Sequence, residues 1–574
     1  MFLAFKREVE DVLKKAVEKA GYEGQDLSLE EPGEIADLAS SIAFKLAPKY
    51  KKTPNSIAQE LKKHVQLEEY SLIEKVEIAG AYINFHASKL FLEMTLREVE
   101  RKQEAYGKLP RRGEKIILEH TSANPTGPLH VGRGRNPVIG DTLARLLRAA
   151  GYDVEVQYYV NDMGKQVAAI VWGYDHIDPK TLEPREYEKP DYEVVQYYRK
   201  AASLLEEDPE VEEEISRLLT QYEEGEVEVR EKFKKVVEKC IAGQMQTLRR
   251  LNVTYDKIIW ESQFIFNSDV KKVVEEIAKS KAASIRDGAL ILNLSEFGLE
   301  KEFVITRGDG TTLYTTRDIA YHLWKFSQAD IAINVLGEDQ KLAMEQLNAA
   351  LKILNVQKKP LIVYHSFVTL PIGRMSTRKG VVVNFDDLIE EAIARAYIEV
   401  DKRRKELPEA KKREIAEMVG IGAVRFDIVK VASEKGITFS WEQALDFEKQ
   451  GAPFIQYAHA RACSIFEKAR EANLEFNENF NPALLIEKEE IALIKKISKL
   501  SSVIETAAKD LKPHLLATYA RELAESFNQF YRYIPVLSAE TEELRKARLG
   551  LVDCARIALQ NTLELLGIAA PKSM

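Results

Sequence analysis

Cysteine is nearly missing from this 574-residue sequence, which holds only Cys240, Cys463 and Cys554. They lie far apart and form no Cys-x-x-Cys pair, so neither a disulfide framework nor a thiolate zinc site is available, and a reducing, cytoplasmic setting is expected. Long apolar runs are missing too. The longest stretch without Asp, Glu, Lys or Arg covers residues 360–373, short of the roughly 20 apolar residues that cross a bilayer. The opening MFLAFKREVEDVLKK turns charged after five residues and carries no cleavage pattern, so neither a membrane partner nor export is expected.

An excess of positive charge is also lacking. The 83 Lys and Arg against 91 Asp and Glu leave a net −8, which gives no overall pull on a polyanion, so any such partner must be read locally. Residues 201–230 hold eleven acids against two arginines, and the other 544 residues are balanced at 81 basic to 80 acidic. With 45% hydrophobic and 30% charged residues, the chain can bury large cores, and at roughly 150 residues per domain it should divide into three or four.

Val9, Val12, Leu13, Ala16 and Ala20 form a helical stripe, and the turn-preceded run IAGAYINFHAS reads as a strand, so residues 1–108 form a small α+β domain. After the cationic joint RKQEAYGKLPRRGEK, the pattern KIILEHT, Gly/Pro-rich loop, helix and DVEVQYYV predicts a parallel doubly wound sheet. Strand-like runs at 289–294, 331–336 and 361–370 continue that sheet. It therefore occupies 109–174 and 251–436, interrupted by a helical insertion at 175–250. Ile494, Ile497, Leu500 and Ile504 share one stripe in a helical bundle spanning 437–574.

Residues 118–154, LEHTSANPTGPLHVGRGRNPVIGDTLARLLRAAGYDV, join strand to helix through a loop rich in Gly and Pro. Free N–H groups and a helix dipole make this the nucleotide position of such a sheet. Gly132 and Gly134 start a dinucleotide fingerprint, but Pro137 stands at its third glycine, and no GxxxxGK[ST] occurs. What remains is His130-Val131-Gly132-Arg133, followed about 240 residues later by Arg374-Met375-Ser376-Thr377-Arg378-Lys379-Gly380. An imidazole beside the phosphates can stabilise charge at the α-phosphate, and a basic loop can meet the departing pyrophosphate.

The two elements resemble the His-Ile-Gly-His and Lys-Met-Ser-Lys-Ser signatures of class I aminoacyl-tRNA synthetases, and nearly the whole chain is similar to the arginyl-tRNA synthetases. The resemblance implies arginine activation by ATP, with its Mg2+, to an adenylate with release of pyrophosphate. Transfer to the terminal adenosine of tRNA(Arg) follows, with tRNA required for activation. It further implies that His130, Gly132, Gly134, Met375 and Ser376 bind ATP. His130, Gly132, Arg133, Arg374, Ser376, Arg378 and Lys379 would serve the chemistry, Glu119 and Asn124 the α-amino group, and Tyr314, Asp318 and Gln340 the side chain. A guanidinium is a planar fork suited to such a carboxylate. NDMGKQ (161–166) and WES (260–262) match family segments that line the site.

Two positions depart from the signatures: Arg133 replaces the last His and Thr377 the second Lys, and Arg378 or Lys379 stands near enough in sequence to substitute. For RNA, the resemblance assigns Tyr82 and Asn84 to a D-loop nucleotide, and Gln456, Tyr457, Arg461, Tyr531 and Met574 to the anticodon side. Aromatic rings there can stack on splayed bases. A monomer is expected. A ligase using a small acceptor and a catalytically inactive RNA-binding paralogue remain alternatives.

Overall fold

The strand that opens the nucleotide motif, Lys115–Glu119, lies at the centre of a five-stranded sheet in a computed structural model describing residues 1–23, 26–33, 35–300, 302–369, 384–474 and 480–574. All its pairings are parallel. Asp153–Val160 and then Lys257–Trp260 extend it on one side, Ile331–Gly337 and then Leu361–His365 on the other. The chain thus leaves the first strand in one direction and later returns in the other. The crevice between Lys115–Glu119 and Ile331–Gly337 is the topological switch point, where such sheets bind ligands beyond their carboxyl ends.

Before the sheet stands a four-stranded antiparallel layer, Leu29–Glu30, Leu38–Ser40, Tyr82–Ala87 and Ile73–Ala79 in spatial order, against the helix Phe2–Lys19. Its core is its own, with Val9, Val12, Leu13 and Ala16 at 2% exposure or less. The insertion forms three helices, Pro190–Glu207, Pro209–Glu224 and Val227–Arg250. A second large core runs from the sheet through this insertion into the carboxy-terminal helices, where Ile494, Ile497, Leu500 and Ile504 are fully buried. No described helix is long and apolar enough to cross a membrane.

Two expectations are corrected. The run at 289–294 does not continue the parallel sheet: Ala289–Leu292 pairs antiparallel with Ala283–Arg286 and Phe303–Val304 in a separate three-stranded sheet. The signal lay in Asp287-Gly288, both at positive φ (49° and 77°), the Asp-Gly dipeptide of a tight hairpin. The final region, expected to be wholly helical, begins with a strand, because Ile437–Thr438 pairs in parallel with Val368–Thr369.

Arg425, fully buried on the helix Glu409–Val429, ties these parts together. It donates to Asp141 Oδ2 at 2.6 Å on the helix after the first strand, to Leu566 O at 3.0 Å in the terminal segment, and to Leu251 O at the end of the insertion. Arg145 holds the same Asp141 oxygen at 2.8 Å. Removing one partner of a buried pair leaves an uncompensated charge, costing about 3–5 kcal/mol. Asp141→Asn should therefore lower the urea midpoint by a corresponding amount with an unchanged slope.

Candidate functional site

Residues 120–130 leave the first strand into the switch-point crevice by an unusual path: Thr121 and Ser122 both take left-handed φ, 71° and 43°. Such a conformation costs a non-glycine residue free energy and persists only where the surroundings impose it. Here Asn136 imposes it. Its Oδ1 accepts from Thr121 N at 2.6 Å while its Nδ2 donates to Val335 O at 2.7 Å on the neighbouring strand. Gln244, from the insertion, donates to Gly127 O (2.8 Å) and Asn124 O (3.1 Å) and accepts from Tyr158 OH at 2.8 Å.

His130 caps the short turn Val131–Arg133, its Nδ1 accepting from Gly132 N at 2.9 Å, which puts the neutral ring's proton on Nε2. The loop is held from behind: Phe385 N donates to Leu129 O at 2.8 Å, Asn384 bridges to His130, and the Phe385 ring fills the space a Cβ on Gly134 would need. That end of the helix Phe385–Arg403 is clamped in turn. Asp386, 1% exposed, accepts from Lys189 Nζ at 2.7 Å and Thr247 Oγ1 at 3.0 Å. Arg135, fully buried, donates to the carbonyls of Val431, Ala432, Ser433 and Lys435, and burial pushes its guanidinium down to about 10.

Two cavities meet at Asn124. One, about 360 Å3, is lined by Thr121, Asn124, His130, Gly134, Arg199 and Asn384 among others, and no described lining residue is acidic. The other, about 200 Å3, is lined by Asn124, Asn161, Glu261, Tyr314, Asp318 and Gln340 among others, with two carboxylates and no described cation. An anion-accepting cleft thus adjoins a cation-accepting pocket. Asn124, Tyr314, Asp318 and Gln340, from three separate segments, converge as expected; Ser122, Tyr159, Asn161 and Glu261 join them.

Glu119 lies behind this wall rather than in it. Its Oε2 accepts from Lys325 Nζ at 2.5 Å and its Oε1 from Ser122 Oγ at 3.0 Å. Lys325, fully buried, also donates to Asn334 Oδ1 at 2.9 Å. An ammonium only donates, so the Asn334 oxygen must face it and its NH2 must face His322 Nε2, 2.7 Å away. His322 therefore carries its proton on Nδ1, which lies 2.8 Å from Asp318 O and 3.1 Å from Asp318 Oδ1. Burial works to raise the Asp318 carboxyl, but His322 and, less strongly, Lys325 outweigh it and hold it below the usual carboxylate range. Glu261 is pushed up to about 7 by burial, against the pull of Arg317 at 2.5 Å.

Elsewhere, Tyr82 is 39% exposed beside the Phe44 ring (5.2 Å), whereas Asn84 is nearly buried. Arg461 lies between the rings of Tyr457 (4.6 Å) and Tyr531 (4.7 Å) and donates to Asn528 Oδ1 at 2.5 Å, beside a cavity of about 550 Å3. Gln456 does not reach this surface. It is fully buried and donates to Met418 O and Ala569 O, so its contribution is to hold the terminal segment. Met574 O accepts from Arg404 Nη1 at 2.5 Å. Arg374, Met375, Ser376, Arg378 and Lys379, and the side chain of Arg133, lie outside the described residues.

Three family models match the chain: tRNA synthetases class I (R), catalytic domain, over residues 95–441; Arginyl tRNA synthetase N terminal domain over 4–87; and DALR anticodon binding domain over 455–574. The chain is 58% identical over 574 residues to a protein named Arginine–tRNA ligase from Methanocella arvoryzae, and 48% identical over 577 residues to one of that name from Methanococcoides burtonii, with all of each chain covered. It superimposes on the arginyl-tRNA synthetase of Thermus thermophilus with a TM-score of 0.83 at 30% identity, over 99% of this chain and 100% of that one. The Plasmodium falciparum arginyl-tRNA synthetase, 17% identical, shares the fold at 0.80 over 100% of this chain and 99% of that one.

Beneath the cleft, burial pushes the His120 imidazole down to about 4 from the ordinary 6.5. The unfolded chain binds a proton that the native state refuses, so stability is full above about pH 6.5 and is lost as pH falls toward 4. Urea midpoints measured between pH 7 and 4.5 should fall more steeply for the wild type than for His120→Gln; parallel slopes would contradict this account.

Proposed function

The chain belongs to the class I arginyl-tRNA synthetases and joins arginine to tRNA using ATP, and on that premise we propose which of its residues do the work. Arginine lies in the smaller cavity with its guanidinium against Asp318, flanked by Tyr314 and Gln340, and its α-amino end toward Asn124 and the Ser122–Glu119 pair. ATP, carrying Mg2+ as part of the substrate, fills the adjoining cleft with its α-phosphate at His130, where Gly132 and Gly134 keep the backbone close. The arginine carboxylate attacks that phosphorus and pyrophosphate leaves toward Arg374, Ser376, Arg378 and Lys379, with Met375 near the base and Arg133 at the phosphates. The arginyl group then passes to the terminal adenosine. No side chain need become covalent, since alignment and fixed positive charge lower the barrier.

The observation that carries this reading is the charge contrast of two cavities joined at Asn124, one acid-lined and one acid-free. With the cationic side chain anchored in one and the phosphates in the other, the arginine carboxylate and the α-phosphate are left to meet where the two cavities join. The division of labour follows the boundaries expected above. Residues 1–108 meet the D-loop through Tyr82 and Asn84; 109–174 and 251–436 hold the catalytic sheet; 175–250 form the inserted wall; and 437–574 meet the anticodon through Tyr457, Arg461 and Tyr531, with Gln456 and Met574 shaping that surface. The protein acts as a monomer in the cytoplasm, and tRNA must be bound before arginine is activated.

ATP–pyrophosphate exchange with each amino acid, with and without tRNA(Arg), tests the reading: exchange should be specific for arginine and absent without tRNA. Exchange at full rate without tRNA would favour a small-acceptor ligase, and none under any condition an inactive RNA-binding paralogue. Asp318→Asn removes the charge facing the guanidinium and should raise the KM for arginine roughly 10–100-fold while that for ATP changes little. Equal rises in both would remove Asp318 from the pocket assignment.

A further inference from the structure

The inserted helices do more than interrupt the sheet, because they build one wall of the phosphate cleft. Val195, Tyr198 and Arg199 from Pro190–Glu207 and Gln244 from Val227–Arg250 all line it. The wall approaches closely: a Cβ on Gly127, across the cleft, would stand 2.8 Å from Val195. It is also fixed in place. Lys189, at the head of the first insertion helix, holds Asp386, while Gln244 holds the carbonyls of Asn124 and Gly127.

Arg199 is the one permanent cation among the described lining residues, and no acid accompanies it. Among the described residues its guanidinium has no hydrogen-bond or ion-pair partner. Its own helix cannot neutralise it, since the positions three and four residues away are Val195, Gln196, Ala202 and Ser203. This stands out because the segment that follows, residues 201–230, carries eleven acids. An exposed guanidinium left unpaired beside such acidity, on the rim of a cleft with no carboxylate among its described lining residues, fits a phosphate by paired N–H bonds.

We propose that Arg199 binds a phosphate of the cleft's ligand and is a catalytic residue contributed by the insertion. The phosphate belongs either to ATP or to the 3′-terminal phosphodiester of the tRNA, which must enter the same cleft for transfer. The inference rests on the cleft being the ATP site.

The test uses the full-length enzyme with Arg199→Ala, Arg199→Lys and, as a control outside the lining, Lys200→Ala. Pyrophosphate exchange gives kcat and the KM for ATP and arginine; aminoacylation gives the KM for tRNA. Arg199→Ala should lower kcat/KM for the phosphate-bearing substrate roughly 10–100-fold. The KM for arginine should move less than twofold, Arg199→Lys should recover part of the loss, and Lys200→Ala should match the wild type. A raised KM for ATP or a lowered kcat of exchange identifies the nucleotide phosphate. An unchanged exchange reaction at saturating tRNA with a raised KM for tRNA identifies the terminal phosphodiester. Arg199→Ala within twofold of wild type in every constant, or a change confined to the arginine KM, overturns the proposal. Wild-type enzyme without arginine-dependent exchange would instead refute the underlying reading.

Discussion

One buried ammonium organises the walls of the smaller cavity. Lys325 has no exposed surface, and an unpaired charge in that position would cost several kcal/mol. It is matched on three sides, by Glu119 at 2.5 Å, Asn334 Oδ1 at 2.9 Å and the Tyr321 ring at 3.9 Å. Because an ammonium can only donate, it dictates the orientation of Asn334 and the tautomer of His322, whose Nδ1–H faces Asp318. One end of this chain supports Ser122 on the loop from the first strand, and the other supports Asp318 on the helix Tyr314–Gln328. The pocket's two walls, almost 200 residues apart in sequence, are therefore held in one register by a single hydrogen-bonded network, whose members polarise one another in a low dielectric.

The insertion performs the corresponding service at the larger cavity. Its acids were the reason for the negative net charge, and most of them face solvent. What it turns inward is different. Lys189 reaches Asp386, and Tyr222 donates to Asp162 Oδ2 at 2.8 Å. The other oxygen of Asp162 takes Ser262 N, next to the pocket residue Glu261. A chain reading only its net charge would place this segment away from any polyanion, yet its packed face closes the cleft.

Much of this was legible from short-range pattern. The strands Lys115–Glu119 and Asp153–Val160 and the helix Arg135–Ala149 announce themselves by composition and turn residues, whereas four of the residues that line the smaller cavity, Asn124, Tyr314, Asp318 and Gln340, were reached only through the family resemblance. What escaped depends on contacts distant in sequence. The family resemblance gives Glu119 as an acid for the α-amino group, but Lys325 stands 206 positions later, and nothing local reveals that the two will pair. Gln456 sits in the same motif as Tyr457, yet helical geometry turns it inward, whereas Tyr457, the next residue, points out. At Ala289–Leu292 the apolar run was visible, but Asp287-Gly288, which decides hairpin over crossover, carries a turn signal that hydrophobicity does not.

These failures share a direction. A buried polar group must find partners, so residues placed near a site by motif are drawn either to the ligand or to each other, and sequence alone cannot tell which. The fold decides by exposure. Asp318, though paired with His322, still lines a cavity. Glu119 is bonded by Lys325 and Ser122 and does not line that cavity, so it acts on the wall by holding Ser122. The same criterion separates the two buried arginines from the unpaired one. Arg135 donates to backbone carbonyls, Arg425 to backbone carbonyls and Asp141, and both hold the scaffold, while Arg199 lines the larger cavity with its guanidinium unpaired among the described residues, which is what the proposal for it rests on.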